Sequence, residues 1–293
     1  MHTLKLFTVA LLASGISGAA VAAPVFTDMN STTALGMANA LLSAGSGITI
    51  NSAAYSGAGN ASGLFNNGNS SNIGIDQGIV LSSGYLSEME SSFSDNNGSA
   101  GNPMLEAYNG GLSTNNASTL TIEFTPTGNQ MTFSYVFASR EYPDYVNGDV
   151  NDVFAFLVNG ENRALIPGTN TPVSINTINC GEADGSNPSN CNLFRDNRDG
   201  NLSDLDLGGF TMVFDIIANV NPGVVNTLVL SIADSGDSVF DSAVFLRGGS
   251  LTVCGGPNQP PCNPQEVSEP AMLGIAGMAL LTVGGLRRSR RRA

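Results

Sequence analysis

Three loops rich in carboxylates hold most of the chemistry this chain could offer. Glu141, Asp144, Asn147, Asp149, Asn151 and Asp152 crowd one stretch, and Asp234, Asp237 and Asp241 form a second group. Hard oxygen ligands gathered on loops suit Ca²⁺, which extracellular modules bind weakly, at about 10⁻⁴–10⁻³ M. Glu141, Asp144, Asp149 and Asp152, with Asp234, Asp237 and Asp241, are therefore the candidate calcium ligands, and structural calcium is the candidate cofactor. The same residue types also build turns through side-chain-to-backbone bonds. A third loop reads Arg195-x-Asn197-x-Asp199-Gly200, with Asp206 further on. Its spacing mimics an EF-hand, but Arg195 puts a cation where the first anionic ligand belongs.

The remaining ionisable residues exclude several classes of function. The only histidine is His2 and the only lysine is Lys5. Between Lys5 and the C-terminal arginines the cations are Arg140, Arg163, Arg195, Arg198 and Arg247, set against 24 acids. Such a surface repels phosphate backbones, so no nucleic-acid partner is expected. Without the N-terminus there is no imidazole for a catalytic triad or a metal site. Glu123 and Glu141 could suggest a glycosidase pair, but Glu123 falls on the solvent side of its strand. No GxSxG, HExxH or P-loop occurs, and no catalytic residue is expected.

The four cysteines, Cys180, Cys191, Cys254 and Cys262, read as two bridges in an exported chain. Three connectivities are possible. Two local pairs, Cys180 with Cys191 and Cys254 with Cys262, close short loops and cost least entropy.

These groups need a scaffold, and the pattern of the chain supplies strands. Charged residues make up 12% and aromatic residues 7%, with 35 Gly and 13 Pro, which favours many short strands joined by turns. Leu120, Ile122 and Phe124 alternate with polar residues, as do Met131, Phe133, Tyr135 and Phe137. Phe210, Met212, Phe214 and Ile216 predict one further strand, and Leu228, Leu230 and Ile232 another. Val153 to Val158 is apolar on both faces and ends at an Asn159-Gly160 turn. Ala243 to Leu246 and Leu251 to Val253 complete the set. Ala34, Leu35, Ala38, Leu41 and Leu42 predict one short amphipathic helix near the N-terminus. Residues 56–72 and 84–118 read as long loops. Each alternating sheet has one dry face, and two such faces must cover each other. The expected fold is all-β, an antiparallel β-sandwich of jelly-roll type.

Both ends read as addresses. Residues 1–22 have the charged, apolar and small-residue order of a secretory signal, with cleavage between Ala22 and Ala23. Residues 267–293 carry Ser268-Glu269-Pro270, an apolar stretch from Ala271 to Leu286, then Arg287, Arg288, Arg290, Arg291 and Arg292. As a helix the stretch would span about 24 Å, slightly short of a bilayer core, and the arginines would stay cytoplasmic. This tail resembles the PEP-CTERM sorting signal, with Ser268 in place of its first proline. The resemblance implies a C-terminal hydrophobic sorting helix, transient inner-membrane insertion, and removal of the tail by an exosortase. It also implies a Gram-negative bacterium that makes exopolysaccharide.

The body resembles the choice-of-anchor L domain, a family of exported bacterial domains paired with different surface anchors. The matching pieces are GIVLSSG at 78–84, FSYVFASREYPDY at 133–145, NDVFAF at 151–156, ALIPGTNTPVSINTIN at 164–179 and IADSGDSVFDSAVFL at 232–246. Two positions depart from the family: Arg140 stands where an acid is usual, and Gly208-Gly209-Phe210-Thr211 replaces an Asp-Gly-aromatic-Thr pattern. The expected organisation is a signal peptide at 1–22, the β domain at 23–253, a disulfide-closed Pro-rich linker at 254–266, and the sorting signal at 267–293. The expected function is that of a non-catalytic structural or adhesive protein at the cell surface or in the extracellular matrix, with matrix polysaccharide as its partner. A Ca²⁺-dependent carbohydrate-binding module and a polysaccharide hydrolase are the alternatives.

Overall fold

The alternating run at Leu120 extends well beyond the residues that announce it. In the computed structural model, which describes residues 23–256 and 261–262, it becomes the longest strand of a two-sheet sandwich. In chain order the strands are β1 (Val25–Asp28), β2 (Ile48–Ser56), β3 (Ser62–Asn66), β4 (Gly78–Ser82), β5 (Thr114–Pro126), β6 (Gln130–Ser139) and β7 (Val153–Val158). They continue as β8 (Glu161–Asn162), β9 (Phe194–Asp196), β10 (Gly209–Thr211), β11 (Phe214–Asn219), β12 (Asn226–Ser235), β13 (Ser242–Arg247) and β14 (Thr252–Cys254). The smaller sheet runs β2-β5-β12-β7-β8. The larger runs β1-β3-β4-β13-β6-β10-β9, with β11 and β14 also paired to β6. Every strand pairing is antiparallel.

Side chains at alternate positions fill the space between the sheets. Leu120, Ile122 and Phe124 of β5, Leu228, Leu230 and Ile232 of β12, and Phe154 and Phe156 of β7 face Phe133, Tyr135 and Phe137 of β6. The aromatic rings interlock: Tyr135 meets Phe156 edge-on at 4.9 Å and 89°, and Phe137 stacks on Phe154 at 4.8 Å. Burying each such ring contributes on the order of 2 kcal/mol, with more from the edge-on geometry.

Neither sheet keeps a fully wet outer face. Val80, Val136, Ala138 and Phe245 on the outside of the larger sheet pack under Ile73, Ile75, Leu86, Met89, Phe93, Leu205 and Leu207. Ala155 and Leu157 of β7 pack under Leu105 of a short helix, α2 (Pro103–Glu106). This accounts for the two-faced apolar character of β7. It also corrects the expectation that 56–72 and 84–118 are plain loops. They carry β3, two single 3-10 turns, α2 and the start of β5, and their apolar residues roof the sheets.

Two other expectations change in detail. A helix, α1 (Ala34–Leu41), forms behind an N-cap in which Thr33 Oγ1 accepts the Gly36 amide at 3.0 Å. It buries Met37, Ala38 and Leu41, whereas Leu35 is exposed. The run from Phe210 to Ile216 is two strands. Thr211 Oγ1 accepts the Phe137 amide at 3.1 Å and the Met212 amide donates to Leu193 O, so the chain leaves β6 there and rejoins it at Phe214. Met212, expected to point inward, is exposed.

Candidate functional site: a buried carboxylate cluster

Strand ends from both sheets converge at one end of the sandwich, and acids occupy the junctions. Glu141 follows β6, Asp152 precedes β7, Asp234 lies near the end of β12, and Asp241 precedes β13. All four are buried, with relative exposures of 1%, 0%, 0% and 0%. The two acidic loops that lie far apart in sequence thus contribute to a single network.

The network is held by backbone and hydroxyl donors. The Asp152 amide donates to Glu141 Oε2 at 3.2 Å. Asp152 accepts the Ser235 amide on Oδ1 at 3.1 Å and the Ser242 hydroxyl on Oδ2 at 2.6 Å. Asn116 Nδ2 donates to Asp234 Oδ2 at 2.7 Å, and the Asp95 amide donates to Asp241 Oδ2 at 2.8 Å. Gly84 leaves room for that last carboxylate, because a Cβ at Gly84 would lie 2.1 Å from Asp241 Oδ2.

Three oxygens, Glu141 Oε1, Asp234 Oδ1 and Asp241 Oδ1, have no hydrogen-bond partner among the described residues. The Ser83 hydroxyl stands near Asp234 and Asp241 but also faces Ser242 O at 3.5 Å. Its single proton serves one acceptor at a time. At least two carboxylate oxygens therefore stay unpaired, which is costly in a dry interior.

The electrostatics follow from burial. The Glu141 carboxyl is raised to about 8, chiefly by burial, with the Asp152 amide lowering it and Asp237 and Asp234 adding to the rise. Burial takes Asp241 to about 7, with Asp95 raising it and Arg140 lowering it. Asp152 and Asp234 are held well above the ordinary carboxylate range, first by burial and then by neighbouring carboxylates.

The other candidate ligands lie apart. Asp237 is half-buried beside the cluster, its carboxyl raised by burial, while Asp144 and Asp149 are exposed. Among the described residues, no group of three or more His, Cys, Asp or Glu side chains is placed so that it could hold a metal ion. Asn116, Ser83 and Ser242 belong to the network, and sequence reasoning missed them. Of the three, Ser242 alone carries a local signal, its place beside Asp241.

The EF-hand-like loop is put to another use. Arg195 donates to Asn72 O, Ile73 O and Thr211 O, and lies over the Phe210 ring at 5.4 Å. Asn197 ties its own loop by accepting the Leu202 and Ser203 amides and donating to Leu205 O and Leu207 O. Asp206 pairs with Arg140 at 3.0 Å and accepts the Phe93 amide. Arg140, one of the two departures from the family pattern, also covers the Phe240 ring at 4.9 Å. At the other departure, a Cβ on Gly208 would lie 1.9 Å from Tyr142 O, so no larger residue fits this backbone.

Glu123 is exposed on the outer face of β5 and accepts the Ser52 hydroxyl at 2.9 Å, whereas Glu141 sits in the buried cluster. Both local disulfides, Cys180–Cys191 and Cys254–Cys262, are formed. Ala22 and the sorting residues Ser268, Glu269, Pro270, Arg287, Arg288, Arg290, Arg291 and Arg292 lie outside the described residues, as does the expected hydrophobic helix. Among the described residues no helix is long and apolar enough to cross a membrane.

Neither a curated protein nor a solved structure matches the chain. The sequence profile of the choice-of-anchor L domain matches residues 26–252, which includes every strand of the smaller sheet and all four buried acids. By that match the chain belongs to the choice-of-anchor L domain family.

Proposed function

We propose that this protein is an exported, non-catalytic module of the cell surface or extracellular matrix, with a structural or adhesive role. The observation that carries the reading is the pair of short-range disulfides closing an acidic β-sandwich of this family. Such crosslinks persist in oxidising compartments and are rare in the cytosol. The leader-like residues 1–22 and the PEP-CTERM-like tail add a route: translocation, transient inner-membrane anchoring, then release by an exosortase into exopolysaccharide. The strand connectivity, read as of jelly-roll type, suits a rigid display scaffold.

Subcellular fractionation with intact-mass measurement under non-reducing conditions tests this reading. The expected mature form lacks both ends, carries two disulfides and resides outside the inner membrane. Full-length protein in the cytosol with reduced thiols would overturn it. Binding to matrix glycans only when Ca²⁺ is supplied would replace the structural role by that of a carbohydrate-binding module. Release of reducing sugars from exopolysaccharide, lost in Glu141→Gln, would replace it by that of a hydrolase.

A further inference from the structure

We propose that the loop joining β11 to β12, through Val224 and Val225, seats on the lipid bilayer and stands the sandwich with its acidic end outward. The proposal rests on the reading of residues 267–293 as a membrane-inserting tail. It adds the surface by which the folded domain meets that membrane.

The loop crosses from one sheet to the other at the end of the sandwich. Val224 and Val225 are 54% and 57% exposed, more than any other large apolar side chain among the described residues. Single apolar residues scattered over a surface are ordinary, but these two are adjacent at the tip of a connection. Their exposure is built in. The buried Asn226 side chain accepts the Asn221 amide and donates to Asn221 O and Val224 O, each at 2.9 Å. Asn159 Nδ2 donates to Asn226 Oδ1 at 2.8 Å, and the Val220 and Gly223 amides donate to Asn129 O and Pro126 O. Two neighbouring turns thus fix the backbone, so seating the valines costs little ordering entropy.

The loop lies where the chain departs for the tail. Gln130, opposite Asn219 at the foot of the loop, also pairs with Cys254 at the end of β14. The Cys254–Cys262 disulfide holds the next residues there, and the Cys262 amide donates to Gln130 Oε1 at 3.2 Å. Nine peptide steps then separate Cys262 from Ala271, where the apolar stretch begins, at most about 30 Å of extended chain. A domain tethered so closely meets the bilayer with this end, at high effective concentration.

Charge favours the same orientation. β12 runs from Asn226 beside the tip to Ser235, whose amide donates to Asp152, so the carboxylate cluster lies at the far end. The turns that hold the loop, 126–129 and 159–160, contain no charged residue. Nearby charges in the strand register are Glu123, opposite Thr227, and Glu161, which pairs with Arg163. An end with so little net charge approaches anionic headgroups with little repulsion.

The chain contains no tryptophan, so Val225→Trp places a single tryptophan reporter at the tip. Leu112→Trp is the control, because Leu112 O and Ser235 share the Asn109 side chain at the far end. The full chain is reconstituted into phosphatidylcholine–phosphatidylglycerol vesicles containing lipid brominated along its acyl chains, and flotation reads anchoring. Apolar groups at an interface lodge about 5–10 Å deep, so emission from Val225→Trp should shift to the blue and be quenched at least about twofold more than from Leu112→Trp. Adding Val224→Asp should return that emission toward its lipid-free value. Flotation without quenching at 225, or with equal quenching at both reporters, would overturn the docking and leave the tail reading standing. So would quenching that Val224→Asp does not change, which would belong to the tryptophan itself. A blue shift already present without vesicles would assign the tip to a second copy of the chain and overturn the proposal. Failure of the chain to float would overturn the tail reading, and the proposal with it.

Discussion

Ser242 donates its hydroxyl to Asp152 at 2.6 Å across 90 residues of sequence. The bond joins the start of β13 in the larger sheet to the residue that precedes β7 in the smaller one. Because Asp152 also accepts the Ser235 amide, one carboxylate ties together three strand ends.

Removing that carboxylate should be among the most damaging changes in the domain. Asp152→Ala leaves a buried amide and a buried hydroxyl without acceptors, at a cost of about 2–5 kcal/mol. Ser242→Ala removes one donor and should cost about 1–2 kcal/mol. Urea unfolding midpoints of the two variants would check the order, and equal losses would show that the Ser235 bond contributes little.

With divalent cations chelated, stability should fall as pH rises from about 4 to about 8. The fold favours the neutral forms of Asp241 and Glu141, whose values are raised to about 7 and about 8. Below pH 4 both folded and unfolded chains hold these protons and no penalty arises. As pH rises, the unfolded chain releases them first and gains stability, until the folded groups ionise and the difference levels off. Asp95 and Arg140 face Asp241, while Asp234 and Asp237 face Glu141, so the acids outnumber the one cation. The total effect is on the order of several kcal/mol, because each tenfold difference in proton affinity between the folded and unfolded chain is worth about 1.4 kcal/mol. Melting curves in EGTA would read it, and a rise in stability over this range would contradict the assignment.

Tyr135→Phe should be neutral or stabilising, by up to about 1 kcal/mol. The Tyr135 hydroxyl is fully buried and has no hydrogen-bond partner among the described residues, and its ring packs against Phe154, Phe156 and Phe214. Deleting an unsatisfied polar group at constant shape removes a penalty. Chemical denaturation would measure the change, and a loss above about 1 kcal/mol would point to a bond that the hydroxyl makes.

Arg195→Lys should destabilise by about 2 kcal/mol although it keeps the charge. The guanidinium reaches Asn72 O and Ile73 O at 2.7 Å each and Thr211 O at 3.0 Å, stitching β9 to the loop before β4. An ammonium cannot span those three acceptors or stack on Phe210 in the same way. Thermal unfolding of the variant would test this, and an unchanged transition would show the contacts to be dispensable.

Much of the sandwich was legible because period-two alternation survives wherever one strand face is dry. Leu120 to Phe124 and Met131 to Phe137 announced β5 and β6 in that way. The strands β1 to β3 were not legible, since β1 and β3 are too short to show a period and a bulge between Ile50 and Ser52 breaks the alternation in β2. The gap between β10 and β11 depends on where one threonine hydroxyl inserts, which no periodicity records. At the site, the acids themselves were visible. That Glu141, Asp152, Asp234 and Asp241 form one group while Asp144 and Asp149 do not depends on which strand ends meet. Topology decides that, and spacing along the chain does not.

The late strand β13 lies between β4 and β6 in the middle of the larger sheet. A polypeptide emerging N-terminus first therefore exposes two raw edges until residues 242–247 arrive. The larger sheet therefore cannot close until nearly the whole domain is available, because its central wedge comes almost last in the chain.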